Sequence, residues 1–154
     1  WRYLLRMDVR ELYQEVILDH SKRPRNFGRP AACNREAKGH NPLCGDRISI
    51  YLEIVDGVVK DVAFEGAGCA ISMASASLMT EQMKGMTEDQ AEELFRRFHR
   101  LMTEAEGEDS EAGLDRLAVL SGVREFPVRI KCATLAWHTL KAALANAKSE
   151  VHTE

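Results

Sequence analysis

The chain has 154 residues, a formal net charge of −3, 45% hydrophobic residues and 29% charged residues. This length and composition are typical of one globular domain. Acidic and basic residues are mixed along the chain without a basic stripe or interleaved aromatic residues, which argues against nucleic-acid binding. No apolar run approaches the roughly 18 residues that a membrane span requires, so we expect no membrane association.

The four cysteines are widely spaced and form no CxxC pair: Cys33, Cys44, Cys69 and Cys132. The opening WRYLLRM is short and lacks a small-residue cleavage site, so we identify no signal peptide there and expect a cytoplasmic protein. Thiols stay reduced in that compartment, and this spacing indicates metal binding or thiol chemistry more than disulfides.

The first predicted element is an amphipathic helix over residues 8–20, with Asp8 as its N-cap. Apolar residues recur in it at helical spacing: Val9, Leu12, Tyr13, Val16 and Ile17. Residues 21–42 are polar and hold three of the four prolines. We predict that this segment is a long irregular connector, which in a compact domain is usually functional or mobile.

A β-hairpin is predicted next. Isoleucine or leucine occupies every second position from 48 to 54, which is the period of a half-buried strand. Asp56-Gly57 is a two-residue signal for a type I′ turn, because both positions of that turn need a positive φ. The second strand is predicted over about Val58–Phe64 and ends in the glycine-rich segment EGAGC.

Two helices are predicted after the hairpin. The first covers about Ala70–Lys84, is built from small residues and ends at Gly85. The second begins at a capping box formed by Thr87 and Gln90. One face of this second helix is apolar: Ala91, Leu94, Phe95, Phe98, Leu101 and Met102.

The remaining chain is predicted to hold an acidic surface loop over 104–111, a short helix over 113–122, an extended linker over 123–131 and a C-terminal helix from Cys132. The order of elements is one helix, a hairpin and then several helices. Such segregation predicts an α+β fold, with a small antiparallel β-sheet packed on one side by several α-helices.

Three of the cysteines lie at the ends of predicted elements. Cys44 precedes the first strand of the hairpin and Cys69 follows its second strand, so both reach the same end of the sheet. Asp46 is two positions after Cys44, so both side chains can face the same side of an extended chain. Cys132 has to reach this end of the sheet from its own helix.

A Cys₃Asp set suits zinc, which binds thiolates and carboxylates, although structural zinc sites usually hold cysteine and histidine only. Taken one at a time, each cysteine is as readily explained as a small buried hydrophobe, and we prefer that interpretation for Cys33. His40 is interpreted as a surface loop residue. Helix N-termini lower thiol pKa values, which applies to Cys69 and, if its helix begins there, to Cys132.

Three basic residues near these cysteines could balance the negative charge of three thiolates and a carboxylate: Arg47, Arg129 and Lys131.

The chain resembles the U-type iron–sulfur cluster assembly proteins in four segments: LYQEVILDHSKRPRNFG, NPLCGDRI, EGAGCAISMASASLMTE and RIKCATLAWHTLKAAL. The resemblance covers nearly all of the chain from about Met7 to Ala147. It implies a single U-type domain over residues 7–148, preceded by an N-terminal extension over residues 1–6.

Within this family, the chain is more similar to the zinc-binding branch found with the Suf system than to the cluster-scaffold branch. Lys131 stands where the scaffold branch has a histidine before its third cysteine. Residues 85–123 or so match the helical insertion of the zinc branch. EFPVRIK replaces the proline-rich chaperone motif of the scaffold branch.

The resemblance implies that zinc is held by Cys44, Asp46, Cys69 and Cys132. It implies that Cys44 accepts a persulfide sulfur from a cysteine desulfurase, with Cys132 as the alternative acceptor favoured in the scaffold branch. Arg129 matches a family arginine and is assigned to the desulfurase interface. Downstream recipients would be iron–sulfur assembly machinery or apo-proteins.

On this interpretation the protein transfers sulfur together with the desulfurase and is not a stand-alone enzyme. Two alternatives stay open. In one, the chain is a scaffold that binds iron and assembles a [2Fe–2S] cluster on Cys44, Cys69 and Cys132. In the other, zinc is only structural and the chain is an interaction module. A homo-oligomer is compatible with all three.

Overall fold

The computed structural model describes residues 9–42, 44–103, 117, 120–123, 126–146 and 151–152. Four α-helices lie within these ranges: α1 Val9–Lys22, α2 Ala70–Met83, α3 Glu88–Thr103 and α4 Pro127–Leu144. The same ranges contain four strands: β1 Arg35–Asn41, β2 Asp46–Val55, β3 Val58–Ala67 and β4 Val151–His152.

The strands form one sheet in the order β3-β2-β1-β4. Strands β1, β2 and β3 pair in antiparallel fashion, and the two-residue β4 adds to β1 in parallel. The predicted hairpin is β2–β3, and its turn residues Asp56 and Gly57 have φ values of 53° and 75°. The type I′ turn prediction is therefore confirmed, while β3 runs on to Ala67, beyond the predicted end at Phe64.

The prediction of one irregular connector over residues 21–42 is wrong in its second half, which is strand β1. The buried positions of β1 are Ala37, Gly39 and Asn41, so no large apolar residue marks the alternation. Small residues are needed there because helix α4 lies close. A Cβ on Gly39 would overlap the Thr139 hydroxyl and lie 3.0 Å from Leu135 Cδ1.

The first half of the connector is held against the free edge of the sheet. The Phe64 N–H of β3 donates to the Asn26 carbonyl at 3.0 Å, and the Gly28 N–H donates to the Phe64 carbonyl at 2.8 Å. The Phe27 ring meets the Phe64 ring edge-on at a centroid distance of 5.3 Å. This segment therefore partly covers an edge strand that would otherwise be open.

The helices cover one face of the sheet, which confirms the α+β prediction. Helix α2 packs on β3, and α4 packs on β1 and β2. The Trp137 ring of α4 is fully buried and stacks on Phe98 of α3 at 4.2 Å. Its indole N–H donates to the Ser75 hydroxyl of α2 at 3.0 Å, and Ser75 donates to the Ala133 carbonyl at 2.5 Å. This polar bridge fixes α2 against α4 inside the core.

Helix α3 confirms its predicted capping box and apolar face. The Thr87 N–H donates to Gln90 Oε1 at 3.0 Å, and the Gln90 N–H donates to Thr87 Oγ1 at 3.1 Å. All the residues predicted for its apolar face are buried: Ala91, Leu94, Phe95, Phe98, Leu101 and Met102.

The N-terminal helix prediction is also confirmed. In α1 the described side chains of Val16 and Ile17 are partly buried against the core. The buried His20 ring lies 2.7 Å from the Ser77 hydroxyl of α2, so a polar contact adds to the apolar packing of α1 on α2. The predicted cap residue Asp8 lies outside the described residues.

The predicted extended linker over 123–131 is wrong in its second half, because helix α4 begins at Pro127. Proline at the first position of a helix costs no hydrogen bond and presets φ, so it starts a helix here and does not break one. The predicted acidic loop over 104–111 lies outside the described residues. Of the predicted short helix over 113–122, the structure describes position 117 and a 3₁₀ turn over 120–123.

Among the described residues, no helix combines the length and apolar character that crossing a bilayer demands.

His138 makes stability depend on pH. The ring is half-buried on α4, edge-on to Phe95 at 5.3 Å and to His99 at 5.6 Å. Burial lowers the pKa of His138, and the charges of His99 and Lys141 lower it further. The unfolded chain therefore takes up this proton at a higher pH than the folded chain, so stability falls as pH drops through about 6.5.

We predict that the melting temperature of the metal-free protein, held in chelator, is lower at pH 5.5 than at pH 7.5. His138→Gln should reduce this difference because it removes the group whose proton uptake favours unfolding. Thermal melts followed by circular dichroism at both pH values measure the effect. An unchanged difference in the variant would assign the acid sensitivity to other groups.

Candidate metal centre

Cys44 lies between the end of β1 at Asn41 and the start of β2 at Asp46. The Asn41 carbonyl accepts hydrogen bonds from the Cys44 N–H at 3.3 Å and from the Gly45 N–H at 2.8 Å. Gly45 has a φ of 73°, a value that favours glycine and closes the loop tightly. Cys44 is partly exposed, as is Cys69, whereas Cys132 is buried.

Cys132 meets Cys44 from the helical layer. It lies in the second turn of α4 and is 0% exposed. Its Sγ is 3.2 Å from Cys44 Sγ and 4.0 Å from Asn41 Nδ2. The prediction that Cys132 reaches this end of the sheet from its own helix is therefore confirmed.

Asp46 and Cys69 come together from the other two sides. Asp46 is the first residue of β2 and its side chain is fully buried. The Cys69 N–H donates to Asp46 Oδ1 at 2.9 Å, and Cys69 Sγ lies 3.8 Å from Asp46 Oδ2. Cys69 is the N-cap of α2, where its sulfur accepts from the Ser72 N–H at 3.5 Å.

The structure thus gathers the predicted ligand set, with one member slightly apart. The donor atoms of Cys44, Asp46 and Cys132 all lie within 4.8 Å of one another. Cys69 is outside this tightest group but touches it through Asp46. Thiolate sulfur and carboxylate oxygen are donors that zinc accepts, so these residues fit a metal ion chemically.

The pKa of the Cys132 thiol is raised by its surroundings. Burial raises the pKa of the Cys132 thiol, and the nearby Cys44 and Asp46 raise it further. We expected a helix N-terminus to lower the pKa of Cys132. This is wrong, because α4 begins at Pro127, more than one turn before Cys132. Arg129 offsets part of the negative charge. Its own pKa is raised by a hydrogen bond to Cys132 and by the charge of Cys69.

The side chains of Cys44 and Asp46 were predicted to share one side of an extended chain, but the structure brings them together by a turn. The positive φ of Gly45 places them within a turn, and the turn folds both side chains toward α4. Arg47 is exposed on the strand position after the buried Asp46, so strand alternation directs it to the other face of the sheet.

Two residues that were predicted not to be metal ligands, Cys33 and His40, lie away from the donor group. Cys33 is half-buried in the connector and His40 lies within β1, paired with Arg47 in the ladder. Neither belongs to the donor group found among the described residues. His40 is thus a strand residue and not the loop residue that was expected.

Two contributors to the site were missed from the sequence. Asn41 is fully buried and directs its amide toward Cys132. Gly68 lies against the Asp46 carboxylate, where a side chain would overlap it. The Asn-Pro pair beginning at Asn41 is a turn signal that could have indicated a structural role. The need for glycine at position 68 depends on a contact between distant residues and has no local signal.

Comparison with known proteins places this site in a family. Residues 12–132 match the family described as the NifU-like N-terminal domain. The chain belongs to this family. The predicted resemblance to the U-type iron–sulfur cluster assembly proteins is thereby confirmed.

Its relatives include both branches that the sequence suggested. The chain is 43% identical over 136 residues to the zinc-dependent sulfurtransferase SufU of Bacillus subtilis, covering 87% of this chain and 90% of the relative. It is 40% identical over 139 residues to the iron–sulfur cluster assembly scaffold protein IscU of Thermotoga maritima, covering 90% and 96%.

A solved relative supports the fold. The crystal structure of a candidate iron–sulfur cluster assembly scaffold protein for the SUF system from Fervidobacterium islandicum superposes with a TM-score of 0.78. Its sequence is 34% identical, and the match covers 89% of this chain and 99% of that one.

The position of the site predicts how metal removal acts. None of the four candidate ligands belongs to the main apolar cluster, which the sheet and helices form among themselves. We therefore expect the protein to stay folded when a chelator removes bound metal. Loss of a ligand present at about 1,000 times its Kd costs about 4 kcal/mol, which for this size lowers the melting temperature by on the order of 10 °C.

Far-UV circular dichroism and thermal melts with and without chelator test this expectation. A retained helical spectrum with a lowered melting temperature agrees with a metal that binds a preformed site. Unfolding at room temperature on chelation would instead assign the metal to the folding of the domain.

Proposed function

We propose that this protein is a zinc-dependent sulfur acceptor of iron–sulfur cluster assembly that receives sulfur from the persulfide of a cysteine desulfurase. The observation that carries the proposal is the contrast between two adjacent thiols. Cys44 is partly exposed on a loop, while Cys132, whose sulfur is 3.2 Å from that of Cys44, is fully buried. Of these two residues, Cys44 is therefore the one that a partner protein can contact.

Zinc would be held by Cys44, Asp46, Cys69 and Cys132. Three thiolates and one carboxylate supply the four donors of a tetrahedral site. When bound, zinc keeps the thiols deprotonated near neutral pH. The Bacillus subtilis relative carries zinc dependence in its name, which supports this choice of metal.

Cys44 is the proposed sulfur acceptor. Its thiolate would attack the outer sulfur of the desulfurase persulfide, forming a new S–S bond while the partner's sulfur–sulfur bond breaks and its thiolate leaves. No oxidant is needed because one S–S bond forms as another breaks and the transferred sulfur keeps its oxidation state. Cys132 is the less suitable first acceptor, since a buried sulfur offers no access to a partner's persulfide.

Arg129 is the proposed contact with the desulfurase. Its side chain is exposed, yet it is close enough to Cys132 and Cys69 to interact with both sulfurs. A cation there can attract the anionic persulfide of a partner and then offset the charge of the persulfide formed on this chain.

The domain boundaries follow the same proposal. The U-type domain would run over residues 7–148, residues 1–6 would be an extension, and residues 85–123 or so would be the helical insertion. Helix α3 would form part of that insertion. The protein would work in the cytoplasm, and its sulfur would pass to iron–sulfur assembly machinery or to apo-proteins.

A scaffold role is the second candidate, because the Thermotoga maritima relative is named a cluster assembly scaffold. The cluster, or iron, would occupy Cys44, Cys69 and Cys132. Anaerobic incubation with iron and sulfide would then give a visible chromophore that passes to an apo-protein. Failure of iron to displace zinc under these conditions would favour the sulfur-acceptor role.

We expect Cys44→Ser to lower stimulation of a cysteine desulfurase by at least about tenfold, because a serine hydroxyl is not a nucleophile toward sulfur at neutral pH. The measurements are desulfurase turnover in the presence of each variant and the mass gain of one sulfur atom after incubation with desulfurase and cysteine. Zinc content is determined on the same samples.

Two variants control this experiment. Cys69→Ser also removes one proposed ligand but keeps the Cys44 thiol, so its zinc content and turnover show how much of the Cys44→Ser effect follows from zinc loss. Cys33→Ser changes a half-buried cysteine outside the site and should behave as wild type. Full stimulation by Cys44→Ser would remove Cys44 from the mechanism. Unfolding by zinc removal together with unchanged turnover would favour the interaction module.

A further inference from the structure

We propose that Gly68 is a positioning residue of the metal centre, and that its missing side chain is what lets the Asp46 carboxylate face the thiols. This inference rests on the proposed metal site. It assigns a role to a residue that supplies no donor atom.

Space, and not backbone conformation, requires glycine at this position. The φ of Gly68 lies outside the left-handed region, so the backbone itself would accept alanine. A Cβ on Gly68, however, would lie 2.5 Å from Asp46 Oδ1, 3.0 Å from its Cγ and 3.2 Å from its Cβ. Contacts below 3.0 Å require one of the two groups to shift.

Asp46 has little freedom to shift. It is fully buried, and it is paired with Asn41 at the closed end of the β1–β2 ladder. The contact below 3.0 Å is with Oδ1, and Cβ of Asp46 is farther away at 3.2 Å. The carboxylate can relieve this overlap by turning about its Cα–Cβ or Cβ–Cγ bond.

The two carboxylate oxygens have different partners, which makes such a turn consequential. Oδ1 accepts the Cys69 N–H at 2.9 Å, and Oδ2 lies 3.8 Å from Cys69 Sγ. Oδ1 is the oxygen that a methyl group at position 68 would displace. Its displacement would break the bond to the Cys69 amide and turn Oδ2 away from the sulfur.

Gly68→Ala should therefore remove Asp46 as an effective ligand while leaving all three thiols in place. Residues that orient a metal ligand typically contribute 10–100-fold to metal affinity, so we expect zinc affinity to fall by about that factor. The effect should depend on Asp46 being present. In the Asp46→Ala background the carboxylate is absent, and of the three close contacts only the one to Cβ at 3.2 Å is left.

The test is a double-mutant cycle on the full chain with Gly68→Ala, Asp46→Ala and the double variant. Zinc affinity is measured by competition with a chelating dye. The expected result is a loss of about 10–100-fold for Gly68→Ala in the wild-type background and less than about twofold in the Asp46→Ala background. Equal losses in both backgrounds, or no loss in either, would overturn the proposal.

Two further readouts separate positioning from a general loss of stability. The visible absorption spectrum of Co²⁺-loaded Gly68→Ala should match that of Co²⁺-loaded Asp46→Ala and differ from that of wild type. A wild-type spectrum in Gly68→Ala would contradict the proposal. If Gly68→Ala does not fold, the double variant should fold, because Asp46→Ala removes the overlap; a double variant that also fails to fold overturns the proposal.

Gly122→Ala is the matched control, because a Cβ at Gly122 meets nothing within 4 Å. It should leave zinc affinity unchanged, and a comparable loss there would overturn the assignment to position 68. Wild-type protein that binds zinc but gains no sulfur contradicts the proposed function and leaves the Gly68 cycle fully readable. Wild-type protein that binds no zinc contradicts both.

Discussion

The hydrogen bond from the Cys69 amide to the Asp46 carboxylate is the interaction on which the site depends. A buried carboxylate without a partner would cost several kcal/mol, and the amide at the start of α2 supplies that partner. The bond connects the beginning of β2 with the beginning of α2, two points far apart in the sequence. Because β2 and β3 are antiparallel, the end of β3 at Ala67 lies beside Arg47 at the start of β2. The next residue, Gly68, has no side chain and leaves room for the Asp46 carboxylate.

The fourth candidate ligand is placed by the core and not by this bond. Helix α4 approaches β1 closely because Gly39 has no side chain at the contact with Leu135 and Thr139. The Ser75–Trp137 bridge then fixes α4 against α2 on the opposite side. With the helix held at both contacts, its second turn lies over the β1–β2 loop, and the Cys132 sulfur meets Cys44. The short distance between these two sulfurs is therefore a consequence of tertiary packing.

The sequence predicted correctly those features that are formed by residues a few positions apart. The hairpin turn at Asp56-Gly57 and the capping box of α3 each involve residues a few positions apart, and both are found in the structure. Strand β1 was missed because its buried side is made of Ala37, Gly39 and Asn41. These residues are small or polar because helix α4 packs closely against the strand, so they do not show the apolar alternation of a typical strand. The start of α4 was missed because Pro127 was interpreted within an extended segment, although proline also begins helices.

The site shows the same division between local and distant causes. That Cys44 and Cys69 share one end of the sheet follows from the hairpin alone. The burial of Cys132, the contact of Asp46 with the Cys69 amide and the overlap that excludes a side chain at position 68 all arise between segments separated by many residues. No short segment of the sequence contains both partners of any of these contacts, so the sequence does not predict this geometry.

The way each sulfur is held bears on which of them a partner could reach. Cys69 caps α2 and Cys132 lies inside α4, so moving either sulfur far would disturb a helix that packs into the core. Cys44 lies on a loop whose described contacts with the sheet are two backbone hydrogen bonds to the Asn41 carbonyl. Cys44 belongs to none of the described helices and strands, whereas Asp46, the residue after Gly45, is held by the ladder and by the Cys69 amide. Of the two partly exposed cysteines, Cys44 is thus the one in a turn and Cys69 the one that caps a helix.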